Sequence, residues 1–185
     1  MLPHKLSNGI CSLNPGVERL AISCVMEIDN NGKTVDYEIF PSIIKSRLQM
    51  TYKKVNQVIE KNEIPEGYEP FVNDLKLMDE LSQIIRKAKI NRGYIDFDVD
   101  EAKIIVDENC HPTDIVLRNR GRGENLIEDF MIQANECVAT HIFYMDLPFI
   151  YRVHEYPKEE KIRDFISFVQ SLGSVSYTHL RAHET

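Results

Sequence analysis

The chain reads as an α+β fold in which antiparallel hairpin strands pack with several helices. Three observations predict it: a run of strict alternation, a turn tripeptide directly after it, and three later segments with apolar residues at helical spacing. Along Arg19 to Asp29, Leu20, Ile22, Cys24, Met26 and Ile28 alternate with Ala21, Ser23, Val25 and Glu27, so one face of a strand is wholly apolar. Asn30-Asn31-Gly32 supplies residues that tolerate positive φ, as a tight hairpin turn requires, and Thr34 to Ile44 returns as the second strand.

The first 18 residues hold Pro3, Asn8-Gly9 and Asn14-Pro15-Gly16 and read as irregular chain. Thr51 is placed as the N-cap of a helix running to about Asn62, with Val55, Val58 and Ile59 on its inner side. Pro65 and Gly67 end it. A longer helix is expected from about Glu69 to Asn91, its apolar positions Val72, Leu75, Met78, Leu81 and Ile85 recurring every three or four residues, its far face charged, and Gly93 at C′. Lys103 to Asp107 and Thr113 to Arg118 are two short strands. Asn125 to Met145 is the most apolar helix, with Leu126, Ile127, Phe130, Met131, Ala134, Cys137, Val138 and Ile142 covering more than half its circumference, and belongs in the middle of the fold. Ile150 to Val153 reads as a short buried segment. Pro157 is placed at N1 of a last helix ending near Leu172, before Gly173. Residues 174–185 lack apolar periodicity, carry His179 and His183, and read as a non-native tail.

At 185 residues, 43% hydrophobic and 28% charged, the chain carries enough apolar material for a real core. No run approaches the roughly 18 apolar residues of a membrane helix and no signal-peptide h-region opens the chain, so a cytoplasmic protein with no membrane partner is expected. The four cysteines, Cys11, Cys24, Cys110 and Cys137, have no Cys-x-x-Cys spacing and read as reduced thiols. A net charge of −7 argues against nucleic-acid binding by bulk electrostatics, so any RNA affinity must come from a local site or from other domains. The one basic cluster, Arg118, Arg120 and Arg122, reads as a solvated loop before a helix.

Several residue patterns invite chemistry and are set aside. Asp96, Asp98 and Asp100 alternate like the opening of a calcium loop, but Glu101 and Asp107 stand where that loop needs Gly and Glu. Cys137 and His141 are one helical turn apart, yet no second ligand pair accompanies them, so a packed thiol and a capped or exposed imidazole are expected. Glu128 and Asp129 follow Leu126-Ile127 near a helix N-terminus, where carboxylates are favoured by about 0.3–1 kcal/mol. On so apolar a helix one of the two must face inward. Near Arg118 to Arg122 that acid is either half of an ion pair or a ligand-binding group.

A resemblance adds to this reading. Met-Leu-Pro-His-Lys-Leu-Ser-Asn-Gly-Ile-Cys-Ser-Leu at residues 1–13 closely resembles the Met-Leu-Pro-x-x-Leu-Ser-Asn-x-Leu-Cys-Ser-Leu segment of RNB-domain exoribonucleases, the ribonuclease II and ribonuclease R family. Met50-Thr51-Tyr52-Lys53-Lys54-Val55, residues 93–103, Leu126-Ile127-Glu128-Asp129-Phe130-Met131-Ile132-Gln133-Ala134-Asn135 and Tyr151-Arg152-Val153-His154-Glu155-Tyr156-Pro157 continue the likeness in family order. The resemblance implies a partial RNB catalytic domain over residues 1–173. It also implies stepwise hydrolysis of single-stranded RNA from its 3′ end with two Mg²⁺ ions, and no DNA substrate.

Carried over by position, Tyr52 is similar to the tyrosine that contacts ribose, Phe97 to the aromatic that stacks on terminal bases, and Glu128 to the glutamate that distinguishes RNA from DNA. Each suits its chemistry, because a carboxylate accepts a hydrogen bond from a 2′-hydroxyl that DNA lacks, and an aromatic face stacks on any base. The bland alternatives are core packing for Tyr52 and Phe97 and a helix-dipole carboxylate for Glu128. Asp129 stands where the family commonly has a second glutamate. The family's metal-binding Asp-x-x-x-x-x-Asp-x-Asp-Asp cluster does not occur in this sequence, nor does its downstream arginine-rich segment. No catalytic or metal-binding residue is therefore assigned, no cofactor is expected in this chain, and it is expected to be the middle part of a catalytic domain, inactive alone. The alternative is a non-catalytic RNA-binding module that keeps the RNB core.

Overall fold

A computed structural model describes residues 2–94, 101–118, 120–153 and 155–174 and divides into two compact units, residues 1–147 and 148–185. The first unit is a mixture of antiparallel strand pairs and helices, as the alternation and helical spacing predict. Strand β1 (Glu18–Ile28) pairs antiparallel with β2 (Thr34–Lys45). Asp29 organises the turn between them by accepting the N–H groups of Asn31 and Lys33, each at 2.9 Å. Those bonds hold its carboxyl below the usual carboxylate value. Gly32 is required twice: its φ is +76°, and a Cβ there would lie 2.7 Å from Ala88 Cβ and 2.9 Å from the Ile84 carbonyl oxygen. Pro41 sits within β2 opposite Ile22, which a strand with a single ladder partner tolerates.

The turn end of this hairpin rests on helices α2 (Val72–Asn91) and α3 (Arg122–Tyr144). Gln133 donates to Thr34 Oγ1 at 2.7 Å, Cys24 and Cys137 bring their sulfurs to 3.7 Å, and Tyr37 meets His141 Nδ1 at 3.2 Å. The open end is bare: Leu20 and Ile22 are 85% and 80% exposed, and Ile43, the cross-strand partner of Leu20, is 67% exposed. Among the described residues nothing covers this half of the apolar face.

Helix α1 (Tyr52–Lys61) buries Val55, Val58 and Ile59, the three residues its spacing selects, and closes on Asn62 in the left-handed region at φ 55°. With Tyr68, Leu75 and Leu126 they form the core, around which Met50, Phe71, Met78 and Phe130 pack. The expected 69–91 helix divides into a 3-10 turn (Glu69–Phe71) and α2, and Gly93 takes the C′ position with φ +94°. Strands β3 (Glu101–Val106) and β4 (Pro112–Arg118) pair antiparallel.

Four expectations are corrected. Residues Lys5–Ile10 are not irregular but wind into one wide π-type turn, closed by Cys11 N–H on the Leu6 carbonyl at 2.9 Å. Helix α3 begins at Arg122 rather than Asn125. Its start is set by a tertiary partner, for Asn56 of α1 accepts Gly123 N–H at 2.7 Å and donates to Glu124 at 2.9 Å, and Glu124 in turn accepts Gly121 N–H at 3.1 Å. In the second unit, helix α4 spans Glu159–Ser171 with Lys158 as N-cap, so Pro157 lies outside it and Glu159 and Glu160 take the first turn, where the dipole favours them. Ile150 and Val153 are 95% and 79% exposed, so the segment expected to be buried is not.

Candidate functional site

Two of the family-matched residues, Tyr52 and Glu128, lie around the N-terminal half of α3. Tyr52 opens α1, and the chain entering it is fixed from outside: Thr51 occupies the N-cap with extended backbone but makes no side-chain cap, and its N–H instead donates to the Tyr68 hydroxyl at 3.1 Å. Tyr52 is 44% exposed and lines a cavity of about 640 Å³ with Met50, Phe71, Leu75, Leu126 and Ile127. Glycines at 121 and 123 let α3 approach α1 this closely, since a Cβ on either would lie within 3 Å of the Asn56 side chain. The fold thus brings Tyr52 beside Ile127, the neighbour of Glu128; Glu128 itself is not a lining residue of that cavity. Phe97, and with it Asp96, Asp98 and Asp100, falls outside the described residues.

Glu128 and Asp129, adjacent in sequence, have different surroundings. Asp129 is the inward acid, fully buried. Ser82 donates to its Oδ2 at 2.9 Å, Lys89 to its Oδ1 at 2.9 Å, and Arg86 stands 3.5 Å away. The inward carboxylate is therefore half of an ion pair, with α2 rather than with the Arg118 to Arg122 run. Lys89 is 4% exposed and falls on the same stripe of α2 as the buried Leu75, Ser82 and Ile85, so a charged residue stands on the inner face of that helix.

Glu128 keeps a side chain 20% exposed. Arg120 Nη2 bonds its Oε2, and the Tyr94 hydroxyl lies 3.4 Å from its Oε1. The Tyr94 ring is seated on the Lys89 ammonium, 4.3 Å from ring centroid to nitrogen. Arg122 pairs with Asp79, and its N–H donates to Glu60 at 2.8 Å. Arg120 and Arg122 thus keep about half of their side chains in solvent, as the reading of a loop before a helix expects, while each meets a carboxylate. Sequence reasoning missed Tyr94, Lys89, Ser82 and Asn56; the signals present were an acid that must face inward on α3 and the place of Ser82 and Lys89 on the stripe of Leu75 and Ile85 in α2.

The pair Cys137 and His141 does not converge. Cys137 packs against Cys24, and burial pushes its thiol up to about 11. His141 stacks edge-on against Tyr37. All four cysteines are free thiols.

Comparison with known proteins resolves which family this geometry serves. The model of the RNB domain matches residues 1–184. The chain belongs to the RNB-domain family. "Ribonuclease R 1" of Lactococcus lactis is 50% identical over 174 residues, covering 94% of this chain and 21% of that protein. The fold matches Mycoplasma genitalium RNase R in complex with ribose-methylated single-stranded RNA at a TM-score of 0.90 and 31% identity, over 100% of this chain and 28% of that one. It also matches the same enzyme in complex with double-stranded RNA at a TM-score of 0.91 and 32% identity, over 98% of this chain and 32% of that one. This RNB-domain chain thus spans about a fifth to a third of the proteins it matches.

Proposed function

We propose that this chain is part of an exoribonuclease that shortens single-stranded RNA from its 3′ end, releasing nucleotides by hydrolysis, and that Tyr52, Phe97 and Glu128 hold the terminal nucleotides. The observation that carries the reading is the state of Glu128: a carboxylate held in place by Arg120 and Tyr94 yet partly open to solvent. Each carboxylate oxygen offers two lone pairs, so one donor on each leaves acceptor capacity for a 2′-hydroxyl. A deoxyribose has no hydroxyl there to donate. Tyr52, exposed beside an apolar cavity, offers a ring face on which a sugar packs. The RNA in the solved complexes of similar fold supports RNA as the ligand.

The two Mg²⁺ ions that the family implies would activate water and stabilise the leaving 3′ oxygen. Among the described residues no three His, Cys, Asp or Glu side chains stand together as a metal site, so the described residues do not fit that group. What these residues perform is binding and orientation. The test is the full-length protein containing this chain, given single-stranded RNA labelled at its 5′ end and Mg²⁺. Progressive shortening of the labelled strand with release of mononucleotides is expected. Binding without shortening would contradict the reading in favour of the non-catalytic RNA-binding module.

A further inference from the structure

We propose that Tyr94 and Arg120 are positioning residues that set RNA-over-DNA specificity by fixing the orientation of the Glu128 carboxylate. The inference rests on the reading of Glu128 as the group that accepts the 2′-hydroxyl. Without partners, a glutamate near a helix start samples several rotamers, and a hydrogen bond to substrate must first overcome that freedom. Here Arg120 takes Oε2 and the Tyr94 hydroxyl approaches Oε1 at 3.4 Å, so both oxygens are held and the carboxylate plane is set before a ligand arrives.

Tyr94 is itself placed by the interior rather than by the surface. Its ring lies 4.3 Å from the Lys89 ammonium, and Lys89 is bound at 2.9 Å to the buried Asp129. The neighbouring acids of α3 are thereby linked through space: Asp129 fixes Lys89, Lys89 seats the Tyr94 ring, and Tyr94 presents its hydroxyl to Glu128. Arg120 comes from the other direction, from the segment just before α3, and supplies the opposite charge. An arginine alone follows a moving carboxylate because its stem is long and half-exposed; a phenol seated on a buried cation does not. This is why the hydroxyl of Tyr94, small as its contribution is, governs direction.

Tyr94→Phe removes only the oxygen and keeps the ring on Lys89. The assay uses the full-length protein and two single-stranded substrates, one all-ribose and one with 2′-deoxy nucleotides at its 3′ end, and reads the ratio of their kcat/KM values. Tyr94→Phe is expected to lower that ratio roughly threefold to tenfold, less than the full worth of a hydrogen bond to a charged group because the contact is long at 3.4 Å, by slowing the all-ribose substrate alone. In a Glu128→Ala background the same change should leave the ratio where Glu128→Ala put it. A structural role for Tyr94 would slow both substrates alike and would persist without Glu128, and either result overturns the proposal. If Glu128→Ala lowers the ratio and Tyr94→Phe does not, this inference fails and the reading of Glu128 stands; if Glu128→Ala leaves the ratio unchanged, both fall. Arg120→Gln carries the same test from the other oxygen should Tyr94→Phe not fold, with the same outcomes deciding it.

Discussion

Lys89→Met in α2 should loosen the packing of α2 against α3 far more than a change in an ordinary helix-surface lysine. The methionine keeps most of the apolar stem and removes the charge, leaving the carboxylate of Asp129, 0% exposed, without its 2.9 Å partner. Removing one partner of a buried ion pair costs about 3–5 kcal/mol, because the remaining charge stays desolvated. Arg86, 3.5 Å away, still offers a cation, so the lower end of about 3 kcal/mol applies. That is about a hundredfold in the local opening equilibrium, read as faster amide hydrogen exchange in peptides of α2 and α3. The double change Lys89→Met with Asp129→Leu removes both charges and should recover at least about tenfold of the loss. Arg86 can turn to water, its side chain being 20% exposed, and Ser82 can bond a carbonyl one turn back. Exchange in Lys89→Met within about threefold of the parent would refute the claim that this pair organises the helix interface.

Two further outcomes follow from named groups. The N–H of Lys33, with help from Asn31, holds the Asp29 carboxyl below its ordinary 3.8, so the turn's stabilisation is complete above that value and is lost as pH falls through the lower folded value. The amide proton shifts of Asn31 and Lys33 should therefore titrate together below pH 3.8 and stay flat in Asp29→Asn, and titration at a higher pH would contradict the assignment. In the full-length protein, Phe97→Ala should cost about 1–3 kcal/mol of binding on RNA and on matched DNA alike, because every base presents a π-face; a loss confined to RNA would rule out stacking.

Most of the backbone plan was legible because local chemistry decides it. Strict alternation before Asn30-Asn31-Gly32 permits only a hairpin, and Val55, Val58 and Ile59 at helical spacing are the residues that α1 buries. Several of the misses share one cause, a partner distant in sequence. The start of α3 at Arg122 depends on Asn56, far upstream, capping it from α1. Lys89 falls on the inner stripe of α2 with Leu75, Ser82 and Ile85, but a lysine by itself favours solvent, and it is buried because Asp129 comes from another helix to meet it. Ile150 and Val153 look like core residues by composition, but burial needs a second surface, and composition does not say whether one is there. At the proposed site, the helix pattern singles out Glu128 with Asp129 and the family motifs add Tyr52; nothing in the spacing shows that Tyr94 and Arg120 would share the Glu128 carboxylate, because both approach it from outside its helix.

The central claim, that Glu128 reads the ribose, is tested most directly by Glu128→Ala in the full-length protein against matched RNA and DNA strands. The account predicts that selection of RNA over DNA falls by the worth of one hydrogen bond to a charged group, about 1.5–3 kcal/mol, roughly tenfold to 150-fold, with DNA handled as before. An equal effect on RNA and DNA, in a protein that still folds, would contradict it and leave Glu128 a helix-stabilising carboxylate.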